Sequence, residues 1–215
     1  MEIYFVQRKI IFGKRRRQYN IMNRLYFTSD LHFCHDREFI WAERGFKSVS
    51  EMNETIIRNW NSIIDENDDC YVLGDIMLGD NTQGLKCLKQ LRGHIHIIRG
   101  NHDTVSRIPL YESCYNVVKV SNAEYIKAEG YNFYLSHYPT ITANLDDGDK
   151  PLKAILINLY GHTHQKNNFY VDRPNMYHVG VDSHNCKPIE IGTIIDEIKE
   201  KMSECKKFID LLIFL

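Results

Sequence analysis

Five short segments rich in β-branched and aromatic residues each end on a small residue followed by a polar one. "RLYFTS" leads into Asp30 and His32, "CYVLG" into Asp75, "IHIIRG" into Asn101 and His102, "YNFYLS" into His137, and "ILINLYG" into His162 and His164. Such runs predict strands with polar tips. Between the first two, Val49, Met52, Ile56, Trp60 and Ile63 advance by three or four residues, and Ser48 and Glu51 are spaced as a capping box, which predicts a helix. Further helices are expected over Gln83 to Leu91 and from about Ile191 to Met202. Strand alternating with helix builds an α/β sheet, and ligands of such sheets bind beyond the carboxyl ends of the strands, where all five tips would meet. The stretch "KVSNAEYIKAEGYNFYLSHYP" differs: turn signals at Ser121-Asn122 and Glu129-Gly130 predict consecutive strands, and hence a second sheet packed on the first.

The tips carry two carboxylates (Asp30, Asp75), an amide (Asn101) and four imidazoles (His32, His137, His162, His164), with His102 beside them. Taken singly, each has a bland explanation as a turn, cap or packed residue. Their joint appearance past apolar strands points to metal binding, and mixed N/O donors suit manganese, iron, zinc or nickel better than calcium or magnesium. Seven ligands exceed what one first-row ion takes, so two divalent ions per chain are expected, with Asp75 as the bridging carboxylate. A shared water would be acidified there, and the net positive centre welcomes an anionic phosphoester. His94 and His96 share the strand of Asn101 but sit at its far end; five residues at about 3.3 Å each put His96 roughly 16 Å from the tip, so these two are expected to pack or meet solvent.

Composition bounds the setting. A chain of 215 residues with 43% hydrophobic and 26% charged residues can bury one sizeable core. Six scattered cysteines without a CxxC pair suit reduced thiols. The longest apolar run, Phe208 to Leu215, is too short for a membrane span and contains Asp210. No secretory signal is recognisable, and a cytoplasmic location is expected. Residues 1–24 hold seven Lys/Arg against one acid, leaving a net charge of −7 on the rest. Residues 1–22 therefore read as a basic extension, 23–202 as the folded domain and 203–215 as a tail. Nucleic-acid binding through the arm is an open alternative that the acidic body does not favour.

The blocks "SDLH", "LGD", "RGNHD", "LSHYP" and "YGHTH", in this order between Leu25 and His164, resemble the signature blocks of the calcineurin-like metallophosphoesterase superfamily. "TSDLHFCHDREFI" further resembles a small bacterial and phage subgroup of it. The resemblance implies an α/β fold of four layers, α-β-β-α, with two mixed sheets flanked by helices. It also implies one ion on Asp30, His32, Asp75 and His164, the other on Asp75, Asn101, His137 and His162, and manganese ahead of iron, zinc or nickel. His102 would contact the phosphate and leaving-group oxygen, as general acid or charge stabiliser.

In the phosphoprotein-phosphatase form of the family, "GDxxDRG" supplies an acid and an arginine; here the block is "GDIMLGD", with Leu78 at the acid's place and Asp80 two residues on. Loss of the arginine favours a small or nucleotide-type phosphodiester over a phosphoprotein. A nuclease is the alternative, and a catalytically silent scaffold a weaker one, since such scaffolds lose ligand histidines. His35, three residues after His32, is either a substrate contact or a turn-packing residue; His178 and His184 are expected to pack, with His184 a candidate for the rim. No P-loop, GxSxG elbow or Cys-x5-Arg occurs in the chain. The segment Thr142 to Lys153 is expected to shape substrate choice. Sequence leaves the oligomeric state open.

Overall fold

The computed structural model describes residues 23–142, 150–171 and 173–213. The basic extension and most of the Thr142 to Lys153 segment thus lie outside the described residues. Strands β1 (Leu25–Thr28), β2 (Asp69–Leu73), β3 (His94–Ile98) and β4 (Val117–Ser121) run parallel, and β10 (Ile189–Glu190) adds antiparallel to β1, giving the order β10-β1-β2-β3-β4. Helices α1 (Glu38–Trp41) and α2 (Val49–Asn61) lie between β1 and β2 in sequence; α3 (Asn81–Leu88) and α4 (Ile108–Glu112) fill the next two crossovers.

The second sheet has the order β5-β6-β7-β9-β8, from β5 (Glu124–Ala128), β6 (Tyr131–Leu135), β7 (Leu156–Tyr160), β8 (Phe169–Tyr170) and β9 (Arg173–His178). β6, β7 and β9 are parallel, with β5 and β8 antiparallel at the edges. Of the consecutive strands expected after Lys119, β5 and β6 form a hairpin. Its turn residues Glu129 and Gly130 both have positive φ, 50° and 79°, as a tight two-residue hairpin turn requires. β4 pairs instead with β3, so the chain changes sheet at Ser121-Asn122.

Strand alternation makes two cores. Tyr26, Val72, Ile95 and Ile97 face the helices, meeting Met52, Ile56 and Trp60 of α2, Leu88 of α3 and Tyr111 of α4. Phe27, Leu73 and Ile98 belong to the second cluster, with Phe133, Leu135, Ile157, Leu159 and Tyr177 of the other sheet. Helix α5 (Ile191–Ile213) adds Ile194, Ile195 and Ile198 to that inter-sheet core. The two-sheet sandwich with helices implied by the sequence blocks is the fold observed. Helix α5 does not stop near Met202: after Gly192 it meets no glycine or proline, so nothing ends it before Ile213, and residues read as a tail continue it. Among the described residues no helix is long and apolar enough to cross a membrane. All six cysteines are unpaired.

Helix starts follow side-chain caps. Ser48 Oγ accepts from Glu51 N at 3.2 Å, while the Glu51 carboxylate reaches back to Lys47 N at 2.8 Å. Replacing Ser48 with Ala is expected to cost about 1 kcal/mol. That should lower the melting temperature by roughly 2–4 °C in a scanning measurement; no change would show the cap to be idle. Helix α3 begins at Asn81, two residues ahead of expectation, because the Asp80 carboxylate accepts from Gln83 N at 2.8 Å.

Candidate metal and active site

The five expected tips do converge: residues at the ends of β1, β2, β3 and β7 line one cleft of about 630 Å³, and His137 at the end of β6 adjoins it, with Nε2 2.9 Å from Asn101 Oδ1. Backbone hydrogen bonds beyond the strands set the approach, with Asp30 N donating to Gly74 O at 2.9 Å and His32 N to Asp75 O at 3.0 Å. Asp30, His32, Asp75, His162 and His164 all have φ between 48° and 69°. Left-handed backbone is uncommon outside glycine and costs of order 1–3 kcal/mol per residue where it is strained; its clustering marks functional sites. The small residue ahead of the tip is also required: a Cβ on Gly161 would strike Ser29 Oγ and come within 2.6 Å of an Asp30 carboxylate oxygen.

Asp30 is fully buried; its carboxylate accepts from Ser29 Oγ at 2.6 Å and His162 N at 2.9 Å, and burial pushes its pKa up. Donor atoms of Asp30, His32 and His164 lie within 4.8 Å of one another, as do those of Asp30, Asp75 and His137. The Asp75 carboxylate accepts from His102 N through Oδ1 at 2.9 Å, and its Oδ2 lies 3.6 Å from His32 Nε2 and 3.5 Å from His137 Nε2. Asn101 Oδ1 is 2.9 Å from both His137 Nε2 and His162 Nδ1.

The tautomers indicate what this arrangement suits. His137 Nδ1 lies 2.7 Å from Leu73 O, which can only accept, so Nδ1 carries the proton. In the tautomer with the proton on Nδ1, His137 Nε2 points its lone pair at the Asn101 carbonyl oxygen, an acceptor facing an acceptor. His32 Nε2 is buried with no hydrogen-bond partner. Converging lone pairs of this kind, together with two carboxylates, fit divalent cations. Burial lowers the pKa of His32, His35 and His162, which favours their neutral imidazoles. At His164 burial acts the same way, but the hydrogen bond to Asp182 and the charge of Asp30 raise its pKa on balance.

His102 stands at the cleft with its side chain 36% exposed and Nε2 3.9 Å from Asp75 Oδ2. His35 also lines the cleft, with Nδ1 3.1 Å from His32 Nδ1. If His32 binds through Nε2, its Nδ1–H donates to His35, which leaves the His35 proton on Nε2. Asp80, as the cap of α3, is committed elsewhere, and Leu78 lines the cleft without replacing the missing acid.

His94 is exposed and His96 donates to Asp69 Oδ1 at 2.7 Å while stacking on Tyr71, so neither reaches the cleft. His184 donates to His178 O at 2.9 Å and stacks on Tyr177, away from the rim. His178 is fully buried, and burial pushes its pKa down to about 3. Below pH 6.5 the unfolded chain takes up a proton that the folded one refuses, so stability present above pH 6.5 falls by roughly 1.4 kcal/mol per unit as pH drops toward 3. His32, His35 and His162, also lowered, act in the same direction, while His164 and Asp30, both raised, act against them. Urea midpoints of metal-free protein should therefore be lower at pH 5.5 than at 7.5, with a shallower slope in His178→Gln. Equal midpoints would contradict the assignment.

Three residues escaped the sequence reading. Asp182 accepts from His164 Nδ1 at 2.9 Å and is gripped by Arg44 at 3.0 and 3.1 Å; Arg44 also donates to Asp30 O at 2.8 Å. Burial works to raise the Asp182 pKa, but His164 and Arg44 hold it well below the usual carboxylate range. Strand, glycine and acid in "HVGVD" was the available signal for Asp182; nothing in the sequence flagged Arg44. Asp103, quoted within "RGNHD" but given no role, is buried and accepts from Asp75 N, Ile76 N, Gly100 N and Tyr111 OH.

Residues 24–202 match the family model of the calcineurin-like phosphoesterase superfamily domain. The chain belongs to this superfamily. Among its relatives, an uncharacterised protein of Methanocaldococcus jannaschii is 31% identical over 187 residues, covering 83% of this chain and 93% of that one. The gene 66 protein of Mycobacterium phage L5 is 28% identical over 188 residues, 75% of this chain and 88% of that one. A solved protein of unknown function from Aquifex aeolicus shares the fold with a TM-score of 0.61 at 24% identity, covering 82% of this chain and all of that one. Membership makes this a phosphoesterase-type hydrolase of a metal-dependent family, and the residues that could hold metal lie at its strand tips.

Proposed function

We propose that this calcineurin-like phosphoesterase hydrolyses phosphodiesters with two divalent cations, one held by Asp30, His32, Asp75 and His164 and the other by Asp75, Asn101, His137 and His162. The observation that carries the reading is the position of Asp75 Oδ2, 3.6 Å from His32 Nε2 on one side and 3.5 Å from His137 Nε2 on the other. One carboxylate oxygen thus serves both donor groups. When bound, the cations supply an acidified water and neutralise phosphate charge. The chain supplies the rest. His102 at the open side contacts the phosphate and the leaving oxygen, as proton donor or charge stabiliser, and the Nε2–H left on His35 offers a hydrogen bond to the phosphate.

Diesters fit better than monoesters because the block that follows Asp75 holds no guanidinium, which leaves Arg37 as the arginine lining the cleft among the described residues. Leu78 and Gly79 stand in that block, and Arg44 is spent on Asp182 and the Asp30 carbonyl. A singly charged diester needs less compensation than a dianionic monoester. Purified protein with manganese is expected to hydrolyse bis-p-nitrophenyl phosphate faster than p-nitrophenyl phosphate, to lose the activity to a chelator and to regain it when metal is restored. Activity that survives chelation, or none with manganese, iron, zinc or nickel, would overturn the proposal.

A further inference from the structure

Four aromatic side chains are more than half exposed among the described residues: Phe39, Tyr115, Tyr125 and Tyr138. Tyr115 and Tyr125 are tied down at the surface by their phenols, donating to Lys89 O at 2.9 Å and Asn132 Oδ1 at 2.6 Å. The other two lean on histidines of the cleft. Phe39, 65% exposed, stands edge-to-face against His35 with ring centroids 5.9 Å apart. Tyr138, 51% exposed, stands against His162 at 4.6 Å and His137 at 5.1 Å.

These rings lie at opposite ends of the site. His35 adjoins His32, in the donor group with Asp30 and His164, whereas His137 and His162 converge on Asn101. A phosphodiester has two ester arms that leave phosphorus in different directions, so an arm directed past His35 meets Phe39 in the cleft wall, and one directed past His162 runs toward Tyr138 beside the cleft. Helix α1 buries only Ile40, so the Phe39 ring is not needed for packing. Arg37 and Lys166 line the same cleft and are exposed, whereas of the acids lining it Asp75 is buried and Asp182 is paired with Arg44 and His164, which leaves Glu43 as the exposed acid among the described residues. The cleft volume of about 630 Å³ falls within the roughly 300–1,000 Å³ of pockets that enclose molecules of nucleotide size.

Resting on the proposed diester hydrolysis, we infer that the substrate is a nucleoside phosphodiester whose base stacks on Phe39 or Tyr138, and that these two residues set the preference for it. Stacking on an aromatic side chain accepts any base, because every base has a π face, whereas an alkyl arm gains far less. One nucleoside suffices for recognition.

Thymidine 5′-(p-nitrophenyl phosphate) and methyl p-nitrophenyl phosphate share a leaving group and differ in the other arm. With manganese, the wild-type protein is expected to favour the nucleoside ester by at least about tenfold in kcat/KM, chiefly through KM. Phe39→Ala or Tyr138→Ala should cut that ratio by about tenfold, and Phe39→Tyr or Tyr138→Phe should keep it. Melting temperatures check that the variants stay folded. Turnover of the methyl ester with a ratio near one, or a ratio untouched by both alanine variants, would overturn the inference while leaving diester hydrolysis standing. Failure to turn over either ester would instead overturn the diester reading and this one with it.

Discussion

Asp75→Asn is expected to abolish hydrolysis of bis-p-nitrophenyl phosphate, lowering kcat/KM by about 10³-fold or more, since the proposed cations would supply several kcal/mol to the transition state. The substitution preserves shape. Asparagine Oδ1 can still accept from His102 N, as Asp75 Oδ1 does at 2.9 Å. What changes is the other atom: an NH2 would face the lone pairs of His32 Nε2 and His137 Nε2, now 3.6 and 3.5 Å from Oδ2. Those atoms accept a donor readily, so the metal-free variant should melt no lower than the wild type. Loss of activity without loss of stability separates a site residue from a structural one. Activity within tenfold of wild type would show that Asp75 does not bridge the two halves of the site.

Asp103→Ala is expected to do the opposite, striking the fold first. Four donors converge on this buried carboxylate: Asp75 N at 2.7 Å, Gly100 N at 2.9 Å, Ile76 N at 3.2 Å and Tyr111 OH at 2.7 Å. Alanine would leave all four without a partner in a region closed to bulk water. Each buried orphan costs about 1–3 kcal/mol, and partial relaxation brings the expected total to roughly 3–5 kcal/mol. The melting temperature should fall by about 10 °C or more. Tyr111→Phe removes one of the four donors and should cost only about 1 kcal/mol. Because Asp103 fixes the backbone on both sides of the β2–β3 crevice, surviving folded protein should also bind metal less well. A loss under 1 kcal/mol in Asp103→Ala would mean that water replaces the carboxylate.

How much of this was legible beforehand depends on whether a signal was local. Strand ends marked by a small residue and a polar tip brought the seven expected positions and His102 onto neighbouring turns, because an apolar run, a tight turn and a donor are neighbours in the chain. The same locality located α2 from its cap and its apolar spacing. Asp182 and Arg44 lie 138 residues apart, and their pairing exists only because β9 ends beside the loop that follows α1. Asp103 was hidden differently: its work is to accept from main-chain N–H groups, which leave no mark on side-chain spacing. Helix ends were misplaced where a side chain three residues upstream of the expected start supplied the cap, at Asp80, or where no breaker followed, past Met202. The change of sheet between β4 and β5 was also invisible, since a turn signal states that the chain reverses and not which strand receives it.

Metal content tests most directly the proposal that the Asp75 carboxylate joins two metal sites. Chelator-treated protein reloaded with manganese and freed of excess should carry two ions per chain, with Asp75→Asn carrying one or none at the same protein concentration. A single ion per chain in the wild type, or two retained in Asp75→Asn with unchanged affinity, would contradict it.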